Sequence, residues 1–218
     1  ELRTPVSNLL TQTQVALSRP RTAAEYREVL QSSVEEYERL ARMIGDMLFL
    51  AKADNRLLAI NPENVDLSEE AEKLVEFYGI LAEERGIRLE VAGSATTRGD
   101  RLMLRRSMSN LLSNAIRHSP AGGTVTIRLG ADSAGAVIVV ENPGSIPAEH
   151  LPRLFDRFYT GDPARRAGGE GVGLGLAVVR SIVEVHDGVI TAVSEDDVTR
   201  FVVRLPTFDS HQLTHGRD

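Results

Sequence analysis

Asn110 and Asn114 lie one helical turn apart in the segment Asn110-Leu111-Leu112-Ser113-Asn114-Ala115-Ile116-Arg117-His118. On a helix both amides point to one side, while Leu111, Leu112 and Ile116 anchor the other side in a core. Asn is a weak helix former, so two of them with a Ser in one helix need a compensating role. An amide oxygen is a neutral ligand for a hard cation, and an amide nitrogen donates to phosphate oxygens. Ordinary surface or capping polars give the same pattern, and the pair alone does not separate the two readings.

A second stretch narrows the choice. Gly171, Gly173 and Gly175 alternate just before Leu176, Ala177, Val178, Val179, Ile182, Val183 and Val185, which recur at helical spacing. Glycines allow backbone angles that turn several N–H groups into one concavity, and a helix N-terminus adds partial positive charge, so the combination suits a phosphate chain. The run lacks the Lys-Ser/Thr ending of a Walker loop and follows no hydrophobic strand, which excludes the usual mononucleotide and dinucleotide fingerprints.

The elements that must position these residues can be read in order. Leu2, Val6, Leu9, Leu10, Thr13, Ala16 and Leu17 mark a first helix, broken at Arg19-Pro20-Arg21. Thr22-Ala23-Ala24-Glu25 reads as a capping box for a second helix, whose stripe through Tyr26, Val29, Leu30, Ser33, Tyr37, Leu40, Ile44, Met47, Leu48 and Ala51 runs to about Asp54. Such a hairpin cannot hide both faces alone. A homodimer forming a four-helix bundle is the expected solution, with packing on its own downstream domain as the alternative. Residues 55–63 form a linker around Pro62. Ser68 is placed to cap a helix ending at Gly86, and Ile87–Val91 alternates like a strand. Asp100 opens the helix that carries the two asparagines. Residues 124–129, 136–140, 188–193 and 200–205 read as further strands, which gives an α+β sandwich with helices on one sheet face. The tail, 207–218, is polar.

The chain has 218 residues, 42% of them hydrophobic, enough for one large or two small domains, and its net charge of −6 argues against nonspecific nucleic-acid binding. It has no cysteine, which excludes disulfides and thiolate metal sites. No run of about eighteen apolar residues is present to span a bilayer. The chain starts without Met inside a helical pattern, so a longer protein is expected, with any membrane segment upstream.

Five segments in order resemble the H, N, G1, F and G2 boxes of sensor histidine kinases: Glu1-Leu2-Arg3-Thr4-Pro5, the Asn114 segment, Val140-Glu141-Asn142-Pro143-Gly144, Leu154-Phe155-Asp156-Arg157-Phe158-Tyr159 and the Gly171–Gly175 loop. The wording of the Asp46–Ala51, Glu141–Gly144 and Arg153–Tyr159 segments is most similar to the heavy-metal sensor branch. The resemblance implies a dimerisation and phosphotransfer hairpin over 1–54, followed by a catalytic domain over 64–206 of the histidine kinase, gyrase and chaperone type. It also implies ATP and Mg²⁺ as cofactors and a response-regulator receiver domain as partner. The whole would be the cytoplasmic portion of a bacterial inner-membrane protein.

By the same resemblance Asn114 would coordinate Mg²⁺, with Asn110 in support and Arg117 and His118 facing the nucleotide. Gly171, Val172, Gly173, Leu174, Gly175 and Leu176 would shape the phosphate lid. Asn142, Gly144, Ile146, Phe158, Tyr159 and Thr199 would surround the rest of the nucleotide. The phospho-accepting His would stand immediately before Glu1. Glu1 would polarise that imidazole, and Thr4 would position water for dephosphorylating the partner. Three departures stand out. Asn142 occupies the position where the family carries an Asp that accepts from the adenine amino group, with Glu141 as an alternative register. No second glycine follows Gly144 before Ile146, and Val198 precedes Thr199 where a glycine is common. A dimeric scaffold or phosphatase with a weakened nucleotide site is the alternative function. An ATPase of the gyrase type fits poorly, since it needs a general-base Glu where this helix has Asn110.

Overall fold

A computed structural model of the chain describes residues 3–161 and 172–207. Glu1, Gly171 and the tail beyond Thr207 therefore lie outside the described residues.

Helix α1 (Arg3–Leu17) leads through the Pro20 break to α2 (Ala23–Asp54). The break and the start follow the local chemistry. The Glu25 N–H donates to Thr22 Oγ1 at 3.2 Å, and the Glu25 carboxylate accepts from the Thr22 N–H at 2.8 Å. This reciprocal pair satisfies two donors that the first helical turn leaves open.

Two short strands were not legible in advance. β1 (Glu63–Asp66) and β3 (Thr96–Gly99) form a small antiparallel ladder of their own. Glu-Asn-Val-Asp and Thr-Thr-Arg-Gly carry no apolar alternation, and in β1 only Val65 is buried, so the pairing comes from tertiary context. The strand also moves the cap of α3 (Leu67–Glu84). Asp66, not Ser68, is the N-cap: its Oδ1 accepts from the Ser68 N–H at 2.8 Å and the Glu69 N–H at 3.3 Å. Ser68 is already in the first turn.

The main sheet has the order β2 (Arg88–Gly93), β4 (Thr124–Asp132), β5 (Gly135–Pro143), β7 (Val198–Pro206) and β6 (Val189–Glu195). β2 and β4 are parallel, which requires a crossover, and α4 (Arg101–His118) supplies it; the other neighbours are antiparallel. The β6–β7 turn is made by Asp196 and Asp197, both at positive φ, as a tight primed turn demands.

Helices α3, α4 and α5 (Gly175–Val185) cover one face of this sheet. Leu104, Met108, Leu111 and Leu112 of α4 meet Ile127, Ile138, Val140 and Phe201 in the core. The other face is polar: Glu141 pairs with Arg200 at 2.7 Å and Arg128 at 3.5 Å. Buried His186 ties the ends of two helices together, accepting the Asp100 N–H at Nε2 (2.9 Å) while Nδ1 bonds Ile182 O (2.8 Å).

Helix α5 has apolar neighbours on two sides. Val179 and Val183 enter the sheet core, whereas Ala177, Val178 and Ile182, with Leu174, pack against Met43 and Leu50 of α2. Arg106 reinforces this joint by pairing with Asp46 and lying 4.5 Å over the Phe49 ring. The hairpin thus packs on its own downstream residues along one face. Leu30, Val34, Tyr37, Ile44 and Leu48 are left exposed on another.

Candidate functional site

A cleft of about 810 Å³ opens between α4, α5, the end of β5, β7 and α2. That is within the size range of small-molecule sites. It has two chemically different ends.

The first end is built on α4 and the start of α5. Asn110 and Asn114 do share a side of α4, and the two amides differ in what they touch. Asn110 Nδ2 donates to Gly175 O at 3.2 Å, tying α4 to the first residue of α5. Asn114 lines the cleft half-buried, and its amide makes no hydrogen bond among the described residues. Gly173 sits at φ 72°, and a Cβ there would stand 2.6 Å from Tyr159 O. The Phe158 N–H donates to Gly173 O at 2.9 Å. Only glycine allows the two loops to interlock this closely. Val172, Leu174, Gly175 and Leu176 continue this wall, and Arg117 and His118 line the cleft from the last turn of α4.

The second end is a hydrogen-bonded loop after β5. Asn142 faces the helices and is 3% exposed, whereas Glu141 is on the opposite, ion-paired face of the strand. The alternation of a strand makes these two positions exclusive, so Asn142, not Glu141, lines the cleft. Its Nδ2 donates to Pro143 O at 2.8 Å, which leaves Oδ1 as the acceptor. Gly144, at φ 118°, donates its N–H to Asp197 O at 2.7 Å and accepts from Thr199 Oγ1 at 2.8 Å. The Ile146 N–H reaches Ser194 Oγ at 2.8 Å. Thr199 therefore holds the loop in place, its hydroxyl proton spent on Gly144. Leu154 and Phe201 add apolar surface beside it.

One anticipated nucleotide-site residue stands elsewhere. Phe158 lies at φ 60° and packs against the Met43–Leu50–Leu174 cluster instead of lining the cleft. Its neighbour Tyr159 does line it, with its hydroxyl 2.6 Å from His150 Nδ1 and Arg153 4.5 Å over its ring. Thr4 is exposed in the first turn of α1 and is not part of the cleft.

Sequence reasoning missed Arg39, Arg42, Met43 and Asp46 of α2 and His150, all of which line the cleft. The available signal was Met43 and Leu50, apolar residues off the first stripe of α2 that imply a second packing partner.

Chemically, one end offers an uncommitted amide, a left-handed glycine and a helix N-terminus, a setting for anionic groups. The other offers a buried acceptor beside apolar side chains, a setting for a flat, donor-bearing ring. Among the described residues no cluster of three or more His, Asp or Glu side chains could hold a metal ion. A cation at Asn114 would share its coordination with the anion, as Mg²⁺ does with phosphates.

Residues 99–209 match the family described as "Histidine kinase-, DNA gyrase B-, and HSP90-like ATPase", and residues 1–56 match the "His Kinase A (phospho-acceptor) domain". The chain is 49% identical over 208 residues to the sensor histidine kinase CusS of Escherichia coli (strain K12), covering 94% of this chain and 43% of that protein. It is 47% identical over 208 residues to the sensor protein IrlS of Burkholderia pseudomallei (strain K96243), covering 94% and 45%. The chain thus spans less than half the length of these curated relatives. Among solved structures, the Acinetobacter baumannii histidine kinase AdeS shares the fold with a TM-score of 0.80 at 24% identity, over 95% of this chain and 98% of that one.

Proposed function

This chain belongs to the sensor histidine kinases and resembles their heavy-metal branch, and we propose that it is the ATP-dependent core of such a kinase. In this reading, residues 1–54 dimerise and carry the phospho-acceptor, a His standing immediately before Glu1. Residues 64–206 bind Mg²⁺-ATP. The phosphoryl group passes from ATP to that His and then to an aspartate of a response-regulator receiver domain, in response to a heavy metal sensed elsewhere in the protein. The whole protein would sit in a bacterial inner membrane with this core on the cytoplasmic side. No helix among the described residues is itself long and apolar enough to cross a membrane.

The observation that carries the proposal is the pairing, in one cleft, of the uncommitted Asn114 amide with the left-handed Gly173 and the N-terminus of α5. Asn114 Oδ1 would ligate Mg²⁺, which supplies charge neutralisation of the phosphates when bound. Asn110 fixes the first backbone carbonyl of α5, and so the direction of the N–H groups there. Asn142 Oδ1 would accept from the adenine amino group while Thr199 and Ser194 hold its loop. With phosphates and ring both fixed, catalysis is mostly positioning and electrostatics. Glu1 would orient the accepting imidazole and Thr4 a hydrolytic water.

The neutral amide at Asn142 favours a second reading, a dimeric scaffold or phosphatase with weakened ATP affinity. A charge-assisted acceptor is about twice as strong as a neutral one. Calorimetric titration with ATP, with and without Mg²⁺, separates the two. The kinase reading expects Mg²⁺-dependent binding that Asn114→Ala weakens about ten-fold or more. No binding at millimolar ATP would favour the scaffold.

A further inference from the structure

The cleft has one wall that the nucleotide reading leaves without a task. Arg39 and Arg42 of α2 line it together with Arg117. Met43 packs against Leu174 at the start of α5. Arg39 lies one turn before Met43 on the same side of α2, so the residue that packs against the start of α5 and a cleft-lining arginine share one helix face. Among the described residues each arginine pairs with one glutamate of its own helix, and loosely. Arg39 Nη1 is 3.5 Å from Glu36 and Arg42 Nη1 is 3.8 Å from Glu38. Pairs this long on a helix surface are weak and leave guanidinium donors to spare. Asp46, the acidic residue of the described cleft lining, is already bound by Arg106. Among the described lining residues arginines outnumber carboxylates, and Arg39 and Arg42 come from the hairpin.

We propose that Arg39 and Arg42 are phosphate-binding residues: α2 supplies the cationic wall of the nucleotide site, and the polyphosphate bridges the hairpin to α4 and α5. The inference rests on the ATP reading above and extends it to residues outside the five sequence boxes. Arginine forks suit phosphate oxygens geometrically as well as electrostatically. A nucleotide held in this way fastens the same joint that Met43, Leu50 and Arg106 close from below.

Calorimetry on the full chain with ATP and with adenosine tests this directly. The double variant Arg39→Gln/Arg42→Gln is expected to bind ATP roughly ten-fold or more weakly, with a shallower salt dependence, while adenosine affinity stays unchanged. Arg39→Lys/Arg42→Lys is expected to recover part of the loss, since a lysine keeps the charge without the fork. Unchanged ATP affinity in the glutamine variant overturns the proposal. So does an equal loss for ATP and adenosine, which would mark damage to the fold. If the original chain binds adenosine but gains nothing from the phosphates, the phosphate end of the ATP reading falls together with this inference. If it binds neither ligand, the ATP reading falls and takes the inference with it.

Discussion

A Cβ added at Gly173 would meet Tyr159 O at 2.6 Å and Phe158 C at 2.7 Å, both backbone atoms that cannot swing aside. Its φ of 72° adds about 1–2 kcal/mol for any L side chain. At Gly175 the nearest atom to an added Cβ is Asn110 Cγ, 3.9 Å away, and the residue opens a helix that favours alanine by up to about 1 kcal/mol. Gly173→Ala is therefore expected to lower the melting temperature by several degrees, and Gly175→Ala to leave it unchanged or raise it. Equal melting losses in thermal scans of the two would refute this steric account. Alternating glycines read alike in the sequence, because what tells them apart is how closely the Phe158–Tyr159 backbone approaches, a contact between loops. Asn110 and Asn114 were legible, since one helical turn fixes their common side regardless of context. Arg39 and Arg42 were not, because their place in the cleft depends on how a helix packs far along the chain.

Between elements, the carboxylate of Glu70 on α3 is fully buried and is held by Arg105 and by Arg101 at 3.2 Å from α4, with Lys73 at 3.4 Å. Burial pushes its pKa up, but the Arg105 hydrogen bond and charge, with Lys73, outweigh it and hold the carboxyl below its ordinary value of 4.5. A depressed folded-state pKa means the ionised group favours the fold. The contribution is complete above pH 4.5 and is lost as pH falls through the folded-state value. Glu70→Gln is expected to cost about 1–3 kcal/mol at pH 7, measured by urea unfolding. That deficit should shrink as pH falls from 4.5, where the unfolded carboxyl takes up its proton, through the lower folded-state value, where the native one does. A deficit that stays constant in acid would assign the loss to packing instead. The long helices and the central strands were readable here because their periods run over many residues. β1, β3 and the Asp66 cap were not, since four-residue polar strands carry no period and take their place from the elements beside them.

Across the whole molecule, α2 must satisfy two apolar faces. Met43 and Leu50 are covered by α5, while Leu30, Val34, Tyr37, Ala41, Ile44 and Leu48 follow a spacing of alternating four and three residues and stay exposed. On α1, Val6, Leu10 and Leu17 are exposed at the same repeat. A 3.5-residue repeat is the seam of helices that supercoil around one another, so the occupant expected on this face is the hairpin of a second copy, closing a four-helix bundle. The sequence carried both faces superposed on one helix. Only the contact with α5 separates the stripe already used from the stripe still open. Val34→Glu/Ile44→Glu places charges in the open stripe, where each apolar side chain buried in a dimer would contribute about 1.5 kcal/mol or more. With four such positions per dimer, association should weaken on the order of ten-thousand-fold, and sedimentation velocity at micromolar concentration should show a monomer. Because the Met43–Leu50 face is untouched, that monomer should still bind ATP with the affinity of the original chain. A persistent dimer would place the interface elsewhere. A monomer that no longer binds ATP would mean that the nucleotide cleft depends on the bundle, and that the joint between α2 and α5 is too weak to hold the cleft's cationic wall without a second copy.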